Sequence, residues 1–273
     1  MDIFDKIFPP KEYTLANGKK VYEKKSKAIV IIPIILVLWI LAIRVVDLKW
    51  LMFFNRLDKL WDILSRIFNP NLEYIPAVIG PIIETIKMSL LGSFLGAFVS
   101  LPFAYLAATN MNRNVIISSF IKLIFSILRT IPTLINALIA TFIFGIGSVA
   151  GIIAIFIFSF SYVGKLTYEQ IENADMGAYE ALQSMGATNF VSFIKTIIPQ
   201  ILPTFLTTAL YNFEGNIRYA SILGYVGAGG VGVLIKHNIG FRSYENLGTI
   251  LICVFVTVLI IENLSIYFRK KLS

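Results

Sequence analysis

The chain has 273 residues, of which 57% are hydrophobic and only 15% charged, with a mean hydropathy of +0.77. That balance excludes an ordinary soluble domain and calls for lipid as the solvent, with helices satisfying the buried backbone. A net charge of +8 does not indicate nucleic acid, because the basic residues gather at the ends of apolar segments, where positive-inside topology and anionic headgroups account for them.

In chain order, residues 1–27 are polar and basic, carrying Lys6, Lys11, Lys19, Lys20, Lys24, Lys25 and Lys27 without the short apolar region and cleavage site of a signal peptide. They read as a cytoplasmic segment ahead of a membrane domain over 28–273, with the first apolar helix as the targeting signal. The first span is predicted from about Ala28 to Val46 and contains Pro33. Beyond it Trp50, Phe53, Phe54, Leu57, Leu60, Trp61, Leu64 and Phe68 recur at helical spacing with a basic opposite face. Two readings stand, a helix lying in the outer interface and a short cap packed on the membrane domain.

The second span is predicted at Met88 to Ala108, with Gly92 and Gly96 spaced for close helix packing. The third covers Leu123 to Gly145 and holds Arg129, Pro132 and Asn136; the fourth runs from Val149 to Gly164, the fifth from Ile201 to at least Asn212, and the last from Thr249 to Phe268. Cys253 lies in the last span and is the only cysteine, so no intrachain disulfide forms. Six spans put both termini on one side, and fourteen basic residues against eight make that side the cytoplasm.

Arg129, Glu214 and Arg218 are costly in lipid, about 2.5–3.5 kcal/mol each on insertion scales, so they should face a cavity or each other. One reading is an Arg129–Glu214 pair that fixes packing. The other has Arg129 or Arg218 attracting an anionic cargo along a pathway shared with Asn136, Asn212 and Asn216. Gly227, Gly229 and Gly232 have dinucleotide-type spacing but no βαβ context, so with Gly224 and Gly230 they read as a close backbone approach lining an outer mouth. His237, the only histidine, reads as a surface residue without partners for a metal. No phosphate-binding loop of the G-x-x-x-x-G-K-[ST] type occurs, so no nucleotide or other cofactor is expected here and energy must come from another chain.

Tyr179 to Pro203 is a polar stretch between spans, predicted to begin as a short helix that packs through Leu182, Met185 and Phe190 while Glu180, Gln183 and Ser184 face water. It resembles the cytoplasmic loop of ABC importer permeases. Glu180, Ala181, Gly186 and Pro199 fall in register with that family's pattern, whereas Leu182, Thr196 and Ile198 depart from it. Tyr211 to Gly232, with "RTIPTLINAL" from Arg129 and "IIETIKMSLLGSF" from Ile82, is similar to phosphonate-type permeases.

The resemblance implies an all-α integral membrane fold of about six transmembrane helices, of the type I ABC importer kind. It implies a coupling loop over about 165–200 whose Tyr179, Glu180, Ala181, Leu182, Met185, Gly186 and Pro199 serve an ATPase subunit. It further implies a homodimer in membrane lipid with an extracytoplasmic substrate-binding protein, no catalysis by this chain, and a phosphonate or related phosphorus oxyanion as cargo. A methionine-type permease shares the glycine-rich segment and stands as the alternative. A lone secondary transporter or channel leaves the loop unexplained, and a membrane-embedded enzyme lacks the His and acidic cluster it would need.

Overall fold

A computed structural model describes residues 11–15, 18–23, 27–46 and 54–272. The chain divides into Met1–Trp61 and Asp62–Ser273. In the first unit β1 (Lys11–Thr14) pairs antiparallel with β2 (Lys20–Glu23), Thr14 opposite Lys20, a hairpin that the sequence reading of this basic segment did not anticipate. The apolar helix α1 (Ala28–Val45) follows, with Pro33 in its early turns. Lys6, Lys24, Lys25, Trp50 and Phe53, named above, lie outside the described residues. Helix α2 (Leu57–Ile67) takes up the predicted amphipathic segment.

The second unit is built on two long helices, α3 (Ile75–Ala107) and α6 (Ser148–Glu172). Residues small enough for backbones to meet line their seam: a Cβ on Gly92 would fall 2.7 Å from Ile155 Cγ2, and one on Gly96 would fall 2.8 Å from the Phe156 carbonyl. Ser89, Ser93, Ser100 and Ala104 continue the buried α3 stripe at helical spacing.

Between them run α4 (Val115–Thr130) and α5 (Thr133–Phe144), meeting at 90°. Pro132 supplies no backbone N–H, and the residue before a proline is pushed from helical to extended conformation; Ile131 has φ −79° and ψ 119°. The segment predicted as a single third span, Leu123 to Gly145, is therefore part of a bent pair. Phe125 of α4 is fully buried under Gly164 of α6, and Ala137 and Ala140 of α5 pack on Ala150 and Ala154.

The chain then forms α7 (Gly177–Ser184), α8 (Asn189–Ser192), a π-turn at Phe193–Ile197 and α9 (Ile198–Leu223). A 3-10 turn at Gly224–Val226 leads to α10 (Val231–Gly240) and the closing helix α11 (Tyr244–Leu272). Among the described residues four helical stretches are long and apolar enough to cross a membrane, a fifth is added if the α4–α5 pair counts as one, and α1 is a shorter apolar helix. The fold is an all-α multi-pass membrane domain.

Candidate functional site: two helix-bundle ends and the polar groups between them

At one end of the second unit the C-terminal ends of α3 and α6 meet the start of α9. Ala104, Ala108, Ile171, Phe193, Ile197 and Ile201 form the cluster there, and Tyr179 of α7 is pegged into it at 5% exposure. Burial pushes the Tyr179 phenol above its ordinary pKa, so it stays neutral. Asp175 ties the start of α7 to α9: its N–H donates to Gln200 Oε1 at 3.0 Å and its carbonyl accepts from Gln200 Nε2 at 3.1 Å.

The packing face differs from the predicted one. Met185 is 82% and Phe190 65% exposed, while Met176 and Tyr179 supply the inward contacts. The reason is the helix stop. Gly186, at φ +90°, donates to the Gln183 carbonyl at 2.9 Å and Ala187 to that of Leu182 at 3.1 Å, the paired bonds of a Schellman ending. Met185 is the last residue before that reversal and is exposed, as are Val191 and Ile194 beyond it. Glu180, Ala181 and Pro199 are exposed and Leu182 half-buried. No atom lies within 4 Å of where a Gly186 Cβ would stand, so its glycine requirement inside this chain comes from the backbone angle alone.

The opposite end is closed by the glycine-rich turn. Gly224 and Gly232 leave no space for a side chain between the backbones of α9 and α10, a Cβ on Gly224 meeting Gly232 C at 2.4 Å. Gly227, Gly229 and Gly230 all have positive φ. The Gly227 carbonyl accepts from Gly147 N–H at 2.9 Å, and Val231 N–H donates to Thr85 Oγ1 at 2.8 Å, joining this turn to α6 and α3. The expected close backbone approach is thus present as a tight junction. His237 is exposed, its ring 4.5 Å from Phe241, and no group of three metal-ligating side chains occurs among the described residues. Cys253 packs partly buried against Val78, Val231 and Ile250.

At that same end Arg66 grips Glu245 through two bonds, Nε to Oε1 at 2.8 Å and a terminal nitrogen to Oε2 at 3.2 Å. Gly248 lets the Ile67 carbonyl reach α11, where a Cβ would stand only 2.1 Å away. The last turn of α2 is therefore packed on the membrane domain.

The six polar residues expected along a pathway fall into four places. Asn212 and Asn216 are buried in the bundle: Asn212 donates to Ser159 Oγ at 2.8 Å, and Asn216 donates to Ser93 Oγ at 2.8 Å and Ser159 Oγ at 2.9 Å, tying α9 to α3 and α6. Asn136 is buried on α5 with its amide nitrogen unbonded.

Glu214 pairs with Arg218 at 2.6 Å and with Arg269 of α11 at 3.3 Å, and Arg218 also reaches Glu262 at 3.5 Å. The expected Arg129–Glu214 pair does not form, because nearer cations occupy Glu214. Arg129 instead lies on α4 with its guanidinium 6.0 Å above the Tyr162 ring, and among the described residues no carboxylate pairs with it. It shares a cavity of about 320 Å³ with Lys122, Ser126, Thr130, Lys165 and Tyr168. Sequence reasoning missed Arg269, Glu262, Lys122 and Lys165 as partners in these groups, having counted the three basic ones only as topology markers.

A multi-pass helical domain with a helix displayed at one end, a sealed glycine turn at the other and paired charges between describes a membrane transport component. Residues 100–268 match the binding-protein-dependent transport system inner membrane component family, and the chain belongs to it. It is a permease subunit, not an enzyme.

A phosphite transport system permease protein of Stutzerimonas stutzeri is 29% identical over 79% of this chain and 78% of its own length. A phosphate-import permease protein of Mycolicibacterium smegmatis is 31% identical over 79% of this chain, which spans only 40% of that longer protein. Among solved structures, an inward-facing methionine ABC transporter aligns with a TM-score of 0.65 at 22% identity, covering 74% of this chain and 99% of its own, a likeness of fold.

Proposed function

We propose that this permease carries a phosphonate, phosphite or related phosphorus oxyanion into the cell as part of an ATP-driven importer. The single observation that carries the coupling role is α7: a short helix pegged by Tyr179, stopped by Gly186 and flanked by outward Met185, Phe190, Val191 and Ile194, an apolar surface ready for an ATPase subunit. The cargo class is supported by the names of the relatives, which speak of phosphite and phosphate. A relative named as a D-methionine permease, from Vibrio cholerae, is less similar, at 25% identity over 66% of this chain.

In this reading two copies enclose the pathway in the lipid bilayer, an extracytoplasmic binding protein delivers cargo at the glycine-turn end, and ATPase closure pushes on both α7 helices. Both termini are cytoplasmic, supported by the distribution of basic residues. Arg129 and Arg218 are the candidate donors for the oxyanion, since a guanidinium offers planar, permanently charged donors to phosphate-like oxygens. The test is uptake by proteoliposomes holding permease, ATPase and binding protein. ATP-dependent accumulation of phosphite or methylphosphonate, but not methionine, is expected; accumulation of methionine alone would refute the cargo.

A further inference from the structure

We infer that the cavity between α4 and α6 is an oxyanion site that holds one phosphate-like group through Arg129, with Lys122 and Lys165 beside it; this rests on the transport reading for its cargo role only. The cavity, at about 320 Å³, lies near the lower bound of roughly 300 Å³ for small-molecule sites. Its wall is mixed, with Ser126 and Tyr168 offering hydroxyls among the three cations, while the Thr130 hydroxyl donates to the Ile127 carbonyl at 2.7 Å.

The charges are graded. Lys122 bonds Glu172 at 2.8 Å, and Glu172 is further held by the Thr109 N–H at 2.8 Å and hydroxyl at 2.7 Å. Lys165 sits 3.5 Å from Glu169. Arg129 alone has no carboxylate partner among the described residues, only the Tyr162 face. Three cations against two carboxylates leave one net positive charge, enough to draw an oxyanion and too little to trap it. The position fits passage as well. The Lys122–Glu172 bond lies at the end of α6 that leads into α7, and Arg129 lies two residues before the backbone break at Ile131, so the cavity joins the α7 end of the unit to the bend in the α4–α5 pair.

A phosphate-like group has two sources here, free cargo and the headgroup of an anionic lipid. The permease, purified with its ATPase partner in phosphatidylcholine nanodiscs, is titrated with phosphite, and phosphatidylglycerol retention from mixed bilayers is read by native mass spectrometry. Arg129→Gln is expected to weaken phosphite binding at least tenfold, Arg129→Lys to restore part of it, and Glu169→Gln, which raises the net charge, to tighten it several-fold. Arg129-dependent retention of phosphatidylglycerol without phosphite binding assigns the site to lipid instead. If neither probe responds to Arg129→Gln or Glu169→Gln, the site is refuted. Uptake is scored separately: parent protein that binds phosphite through Arg129 without importing it keeps the site and refutes the transport reading.

Discussion

Glu214 on α9 and Arg269 on α11 meet at 3.3 Å, 55 residues apart in the chain, with Arg218 completing the group one turn along α9. Glu214 and Arg269 are only 12% and 13% exposed, whereas Arg218 is 52% exposed. The Arg269 guanidinium also lies 3.7 Å over the Tyr211 ring and donates to Ser265 Oγ at 2.9 Å. Glu214 and Arg269 are therefore the sheltered pair of the group, and Arg218 is its exposed member.

Glu214→Gln is expected to lower stability by about 2 kcal/mol, the scale for losing a charge-assisted bond in a sheltered site. Arg269→Gln should cost a similar amount, and Arg218→Gln less than about 1 kcal/mol because its side chain is the least sheltered of the three. Thermal unfolding in detergent, run as a double-mutant cycle, measures this. Equal coupling of Glu214 to both arginines would contradict the ranking.

A second prediction concerns Gly186. Its φ of +90° costs an L-residue about 1–2 kcal/mol, and nothing in the chain crowds the position. Gly186→Ala and Gly186→Leu should therefore destabilise α7 equally, and Gly186→Asn less. ATPase co-purification separates the backbone effect from docking: if a partner approaches this glycine closely, Leu abolishes co-purification while Ala only weakens it. Identical losses for Ala and Leu would leave the backbone angle as the whole reason.

The span-forming segments were legible because hydropathy and small-residue spacing report directly on helix length and close packing, and Gly92 and Gly96 meet α6 as that spacing implies. The glycine turn was legible for the same reason. The 90° bend was less so: Pro132 was visible, but a proline inside a membrane span kinks or breaks it depending on what the neighbours hold. Charge partners were not legible. Arg269 and Lys122 looked like end-of-helix markers, and only the antiparallel register of α9 with α11, and the contact of α4 with the end of α6, bring them to Glu214 and Glu172. Met185 and Phe190 fit an inward helical face by periodicity, which the Schellman reversal interrupts.

Topology yields the third prediction. In a Cys253→Ala background, a cysteine at exposed Ser184 marks the α7 end and one at exposed His237 the glycine-turn end. An impermeant maleimide added to intact cells should label His237→Cys and leave Ser184→Cys untouched until the cells are opened. The reverse pattern would put α7 outside, where no ATP-driven partner could reach it.

The last prediction tests what Asn216 does. Its side chain is 1% exposed and bridges Ser93 and Ser159, so it joins three helices at one point, while its own amide oxygen has no hydrogen-bond partner. Side-chain hydrogen bonds between membrane helices contribute about 0.6 kcal/mol on average and up to about 1.7, so Asn216→Ala should lose about 1–2 kcal/mol once both serines lose their donor. Ser159→Ala alone should cost part of this, since Asn216 keeps Ser93 but Asn212 loses its partner too. If Asn216 acts only as a tie between helices, Asn216→Ala lowers the unfolding midpoint while uptake per assembled transporter stays at the parent rate. If cargo meets this amide when the bundle opens, through the nitrogen that now serves Ser93 and Ser159, uptake falls further than assembly does. Measuring both quantities on one preparation decides the point: a full parent rate refutes a pathway role for Asn216, and a rate loss at unchanged stability refutes the tie.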